Sequence, residues 1–203
     1  MVECLKVSAR TWRTWALVVI YFSTFGGFIA LTAWLPTYWR SSYGCTAFTA
    51  GALTALFSIL ACLIRVAGGV LADRLEEGGE NTAILALLIM LPGALVMTAA
   101  QQFELAVPGV VLLALGMGVA NAAVFKLVPQ EVPQAVGGAS GWVGGVGAFG
   151  GFVVPPVRAF AVHNLGAKGY SIGFVVFIFL ALVSLTAAWI LKYVPAPLAE
   201  RAT

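Results

Sequence analysis

The stretch WALVVIYFSTFGGFIALTAWLPTYW, Trp15–Trp39, decides the fold. It runs 25 residues without a charge. A helix needs roughly 20 apolar residues to cross the hydrocarbon core of a bilayer. Indole rings favour the membrane interface, and this run carries one at each end. Lys6, Arg10 and Arg13 precede it in a basic leader over 1–14. A secretory signal would have a shorter apolar core and a small-residue cleavage site, so the run reads as a retained membrane helix.

Five more apolar runs follow, over Phe48–Ala72, Thr82–Ala100, Ala106–Val128, Gly137–Val162 and Tyr170–Leu191. The breaks between them (RSSYGCTA, DRLEEGGEN, QQFE, PQEVPQ and HNLGAKG) carry Gly, Pro or charge, which suits turns at the interface. Composition agrees. The 203 residues are 61% hydrophobic and 9% charged, with a mean hydropathy of +1.00. A soluble domain carries about 25% charge. These figures exclude an ordinary soluble enzyme, a disordered chain and a nucleic-acid binder with a basic stripe. The expected fold is an all-α membrane protein, a six-helix transmembrane bundle over 15–192 followed by a tail over 193–203. Lys6, Arg10, Arg13, Arg74, Lys126, Lys192 and Arg201 fall on one side, and Arg40, Arg158 and Lys168 on the other. The basic excess places both termini in the cytoplasm.

Arg65 is the charge that does not fit a helix end. It precedes Asp73, at the end of the second helix, by eight residues. Eight helical residues span about 12 Å, close to the roughly 15 Å half-thickness of the hydrocarbon. A central Arg costs at least about 2.5–3.5 kcal/mol on insertion scales. No Asp or Glu lies mid-helix to neutralise it; Asp73, Glu104 and Glu131 sit at helix ends or in loops, where they can reach water. Its planar, forked donors match a planar oxyanion; backbone carbonyls or a carboxylate from elsewhere are the alternatives. Tyr21 and Phe25 are i and i+4 on the first helix, so they share a face at about the same depth. They suit either the wall of a small anion site or plain packing. Lys126 ends the fourth helix and can snorkel to water, while Asn121, one turn deeper, can bond between helices. Arg158 reads as a solvated anchor near the outer end, placed to draw anions inward.

Glycine concentrates in the fifth run, where Gly141–Gly145 and Gly147–Gly151 would let helix backbones approach closely. Pro155 and Pro156 are expected to break or kink its outer third. The GxGxxG match at Gly145–Gly150 sits inside an apolar helix, with no acidic residue between Glu131 and Glu200, so it is not a dinucleotide fingerprint. Cys4, Cys45, Cys62 and His163 form no metal or disulfide pattern. No nucleophile–base pair is visible, so neither an enzyme, a cofactor nor a metal is expected.

Four segments carry a resemblance: LIRVAGGVLADRL (Leu63–Leu75), YFSTFGGF (Tyr21–Phe28), NAAVFKLVPQ (Asn121–Gln130) and GWVGGVGAFGGFVVPP (Gly141–Pro156). Together they resemble helices seven, eight, ten and eleven of the nitrate/nitrite porter branch of the major facilitator superfamily. Leu75, Glu76 and Glu77 depart from the Gly and basic residues that usually follow Asp-Arg there. The resemblance implies transport of nitrate or nitrite across the cytoplasmic (inner) membrane by alternating access, and the absence of a buried carboxylate points within it toward anion exchange rather than proton coupling. It implies that Arg65, Tyr21 and Phe25 bind substrate and that Gly144, Gly147, Gly150 and Gly151 are the signature glycines. Asp73 and Arg74 would stabilise one gate state. It also implies a partner, an N-terminal six-helix half on a separate chain or a missing segment, without which this half is not expected to transport. A half-transporter for another small anion and a non-transporting membrane scaffold are the competing expectations.

Overall fold

The computed structural model describes residues 2–75 and 78–194. Glu76, Glu77 and the tail from 195, with Arg201, lie outside them. The described residues are helical, with no strand among them. A short helix α1 (Val2–Arg10) leads into α2 (Trp12–Tyr43), then α3 (Ala47–Arg74), α4 (Gly78–Ala99) and α5 (Phe103–Glu131). The fifth crossing is built from α6 (Val136–Ala148) and α7 (Gly150–Leu165). A single turn α8 (Gly169–Ile172) precedes the last helix, α9 (Val175–Tyr193). Six spans are long and apolar enough to cross a membrane.

The helices overrun the apolar runs by a turn or so, because backbone hydrogen bonding continues into the interface after the side chains turn polar. At the α2–α3 corner, Gly44 takes the left-handed conformation (φ 65°) that a side chain would resist, and returns its N–H to the Arg40 carbonyl. Thr46 then caps α3, its hydroxyl accepting from the Thr49 N–H at 3.2 Å. The leader is itself helical, and α1 packs along α6. A Cβ on Gly138 would lie 2.3 Å from the Cys4 carbonyl oxygen, so that contact requires glycine.

Lipid is as apolar as a leucine side chain, so helices associate here through close packing rather than burial from water. α5 is the hub. It lies along α3 and α4, and α4 in turn packs on α9. Gly118 meets the Ala61 carbonyl and Gly116 meets the Met90 backbone, each too close to admit a Cβ. The most deeply packed spans are α2 and α5, whereas α3 and α6–α7 keep most of their surface bare.

The fifth crossing differs from expectation. Helix α7 is continuous through Pro155 and Pro156, and the interruption falls at Phe149 instead, between Ala148 and Gly150. There the backbone is pressed against α2: a Cβ on Gly150 would stand 2.5 Å from the Phe22 carbonyl oxygen.

Candidate functional site

Arg65 leaves α3 toward α2, and its Nη2 donates to the Tyr21 hydroxyl at 3.3 Å. Its guanidinium carbon stands 5.2 Å from the centre of the Phe25 ring, a cation–π contact. Tyr21 and Phe25 stack at 4.9 Å and 20°. The ring series continues through Phe28 to Phe57 on α3. Arg65 itself is only half-buried. No carboxylate among the described residues pairs with it. The two described ion pairs are Arg13–Glu131 and Lys126–Asp73.

A local distortion sits at this point. Between Tyr21 and Gly27 the helix widens into a π turn, Phe22–Gly26, which carries Phe25. Thr24 and Ser23 direct their hydroxyls back to the carbonyls of Ile20 and Val19, and Gly26 comes up against Gly150. Such turns inside α-helices concentrate at functional sites. The sequence reading did not foresee the turn. It also missed Phe125 of α5, whose ring meets Tyr21 edge-on at 5.1 Å and 84°. The signal was present, since Phe125 lies one turn beyond Asn121 in a segment already singled out.

The glycine set divides. Gly147 faces the Tyr21 ring, where a Cβ would approach to 2.7 Å, and Gly151 faces Ile29 at the same distance. Gly150 lies on the π turn. Gly144, like Gly145, meets nothing within 4 Å. Of the pairs expected to bring helices together, Gly147–Gly151 does so and Gly141–Gly145 does not.

Asp73 is joined by Lys126 across α3 and α5, in an exposed pair. Arg74 is exposed. Asn121 is buried, and its Oδ1 finds no hydrogen-bond partner among the described residues.

Two charged groups are not where the sequence put them. Glu131, expected at a helix end within reach of water, is 6% exposed and bound by Arg13, itself buried. Arg13 also donates to the Val194 carbonyl, so the pair ties α2, α5 and the end of α9. A buried carboxylate therefore exists, and the expectation of exchange over proton coupling loses its premise. Arg158, expected as a solvated anchor, is 1% exposed and enclosed by rings. The fifth crossing extends further than the apolar run suggested, and α9 covers its outer end.

Comparison with known proteins fits this architecture. A family model described as Major Facilitator Superfamily matches residues 2–155. The chain is 36% identical to a probable nitrate/nitrite antiporter, NarK1, of Thermus thermophilus, covering 73% of this chain and 38% of that protein. It is 34% identical to a probable nitrate/nitrite transporter, NarK2, of Mycobacterium tuberculosis, covering 90% and 46%. A nitrite extrusion protein of Bacillus subtilis is 33% identical, covering 89% and 45%. The chain thus spans about half the length of these relatives or less. A crystal structure of a bacterial homologue of the human lysosomal transporter Spinster, inward-facing and occupied, superposes with a TM-score of 0.70 over 96% of this chain and 51% of that one, at 14% identity. Six spans around a glycine-packed hub, the likeness of fold to a transporter and the family match over most of the length lead to one assignment: the chain is a multi-pass membrane protein that belongs to the major facilitator superfamily.

Proposed function

We propose that the chain supplies the C-terminal half of a nitrate/nitrite porter, and that Arg65 holds the anion. The observation that carries this reading is a half-exposed guanidinium in mid-helix with a hydroxyl and a ring against it and no carboxylate among the described residues. A buried or membrane-embedded charge needs a counter-charge, and a small planar oxyanion supplies one. Because the Tyr21 oxygen accepts from Arg65, its own proton stays available to the same anion. Phe25 and Phe125 close the sides and limit water. The names of the relatives supply the choice of nitrate and nitrite.

Alternating access in this family is rocking of two six-helix halves about a site near the midplane. Gly147, Gly150 and Gly151 let α6 and α7 bear directly on the helix that carries Tyr21. Gly144 lies on the open side, where a second half would pack. The Asp73–Lys126 pair holds α3 to α5 during that motion, with Arg74 beside it to meet the other half. Both termini face the cytoplasm, in the inner membrane.

Nitrate–nitrite exchange in proteoliposomes tests this. The chain co-reconstituted with the N-terminal half of a porter of this kind should exchange labelled nitrate for nitrite, and the chain alone should not. Exchange by the chain alone, or none by the pair when both are folded, would overturn the reading.

A further inference from the structure

Arg158 is 1% exposed, yet only its Nη2 is satisfied, donating to the Tyr170 carbonyl at 3.3 Å. Nε and Nη1 have no hydrogen-bond partner among the described residues. Rings of Phe174 (3.9 Å), Trp34 (5.2 Å) and Phe177 (5.8 Å) surround the guanidinium. Cation–π contacts offset only part of the cost of burying a lone charge. The remainder calls for negative charge nearby, and no described carboxylate pairs with it.

An open cavity of about 420 Å³ lies next to this cluster, at the ends of α2 and α4 and against α8. Its lining includes Ser41, Ser42, Thr98, Gln101, Lys168 and Ser171. These are five neutral hydrogen-bonding groups and one ammonium, with no acid. Tyr43, also in the wall, shares a hydrogen bond of 3.0 Å with Tyr38. The Tyr170 carbonyl that accepts from Arg158 belongs to the residue next to Ser171 of the wall, so the buried charge stands close behind the cavity.

We propose that this cavity is a second oxyanion site, gripped by Lys168, Gln101 and the hydroxyls of Ser41 and Ser42 and held electropositive by Arg158 behind them; Thr98 and Ser171 already donate to the carbonyls of Ala94 and Ala100. The chemistry it recognises is an oxygen-bearing anion, either a free one such as nitrate or the phosphodiester of an anionic lipid. It shares no residue with the Arg65 site, so the two readings fail separately.

The experiment uses the purified full chain carrying Arg65→Lys, to quiet the first site, with and without Lys168→Gln. Lys168 is exposed, so its replacement leaves the fold intact. Labelled nitrate is titrated by 15N NMR, and retention of phosphatidylglycerol against phosphatidylcholine is read by native mass spectrometry. Saturable nitrate binding that weakens at least fivefold with K168Q identifies a free-anion site. Retention of phosphatidylglycerol that falls at least fivefold with K168Q, without nitrate binding, identifies a lipid-phosphate site. Arg158→Met, where circular dichroism shows it folded, weakens the same event. Neither ligand bound, or both bound equally with and without Lys168, overturns the proposal.

Discussion

Arg65 on α3 and Tyr21 on α2 lie 44 residues apart in sequence and meet at 3.3 Å, guanidinium to hydroxyl. The contact joins two membrane helices through polar groups and engages one nitrogen of Arg65. The arrangement fixes the arginine without neutralising it.

Tyr21→Phe separates the hydroxyl from the ring. The stack with Phe25 and the edge contact with Phe125 persist, so the melting temperature should move little. One hydrogen bond to a charged group is removed, worth about 1.5–3 kcal/mol, and nitrate affinity should fall by roughly tenfold or more. An isothermal titration checks it. Unchanged affinity would show that the hydroxyl serves Arg65 only, or packing.

The glycines should behave as two classes. Gly147→Ala and Gly150→Ala drive a methyl into Tyr21 and into the Phe22 carbonyl, and overpacking of this kind costs about 1–3 kcal/mol. Gly144→Ala meets open space and should leave the thermal stability of the isolated chain unchanged. If Gly144 faces a second half, the same substitution should impair assembly or exchange. Thermal unfolding in detergent and exchange in vesicles, measured side by side, separate the classes.

The two ion pairs differ in weight. Glu131→Gln removes the buried carboxylate that Arg13 pairs with, and breaking a buried pair costs about 3–5 kcal/mol. Asp73→Asn opens an exposed pair, for which about 0–1 kcal/mol is the usual range. Denaturation of the two variants should therefore differ clearly, with Glu131→Gln far the weaker protein. Equal losses would show that Arg13 is satisfied without Glu131.

Six spans were legible because the bilayer imposes a length and bars charge, and both are one-dimensional properties of the chain. The shared face of Tyr21 and Phe25 followed from helical spacing alone. Other features depended on what one helix does to another. The π turn at Phe22–Gly26 arises where Gly26 meets Gly150, a contact between residues more than 120 positions apart. Arg158 looked like an anchor because its own run ended nearby; the rings that enclose it come from α2 and from the α8–α9 region. Glu131 looked accessible at the end of its helix until Arg13, from the other end of the sequence, closed over it.

The central claim is that Arg65 grips the anion with its fork of donors. Equilibrium binding of 15N-labelled nitrate to the wild-type chain and to Arg65→Lys, each shown folded by its melting curve, tests it most directly. A lysine keeps the charge and loses the planar fork, so affinity should drop at least tenfold, by the roughly 1.5–3 kcal/mol of a charge-assisted bond. Equal affinity in the two proteins would contradict the account.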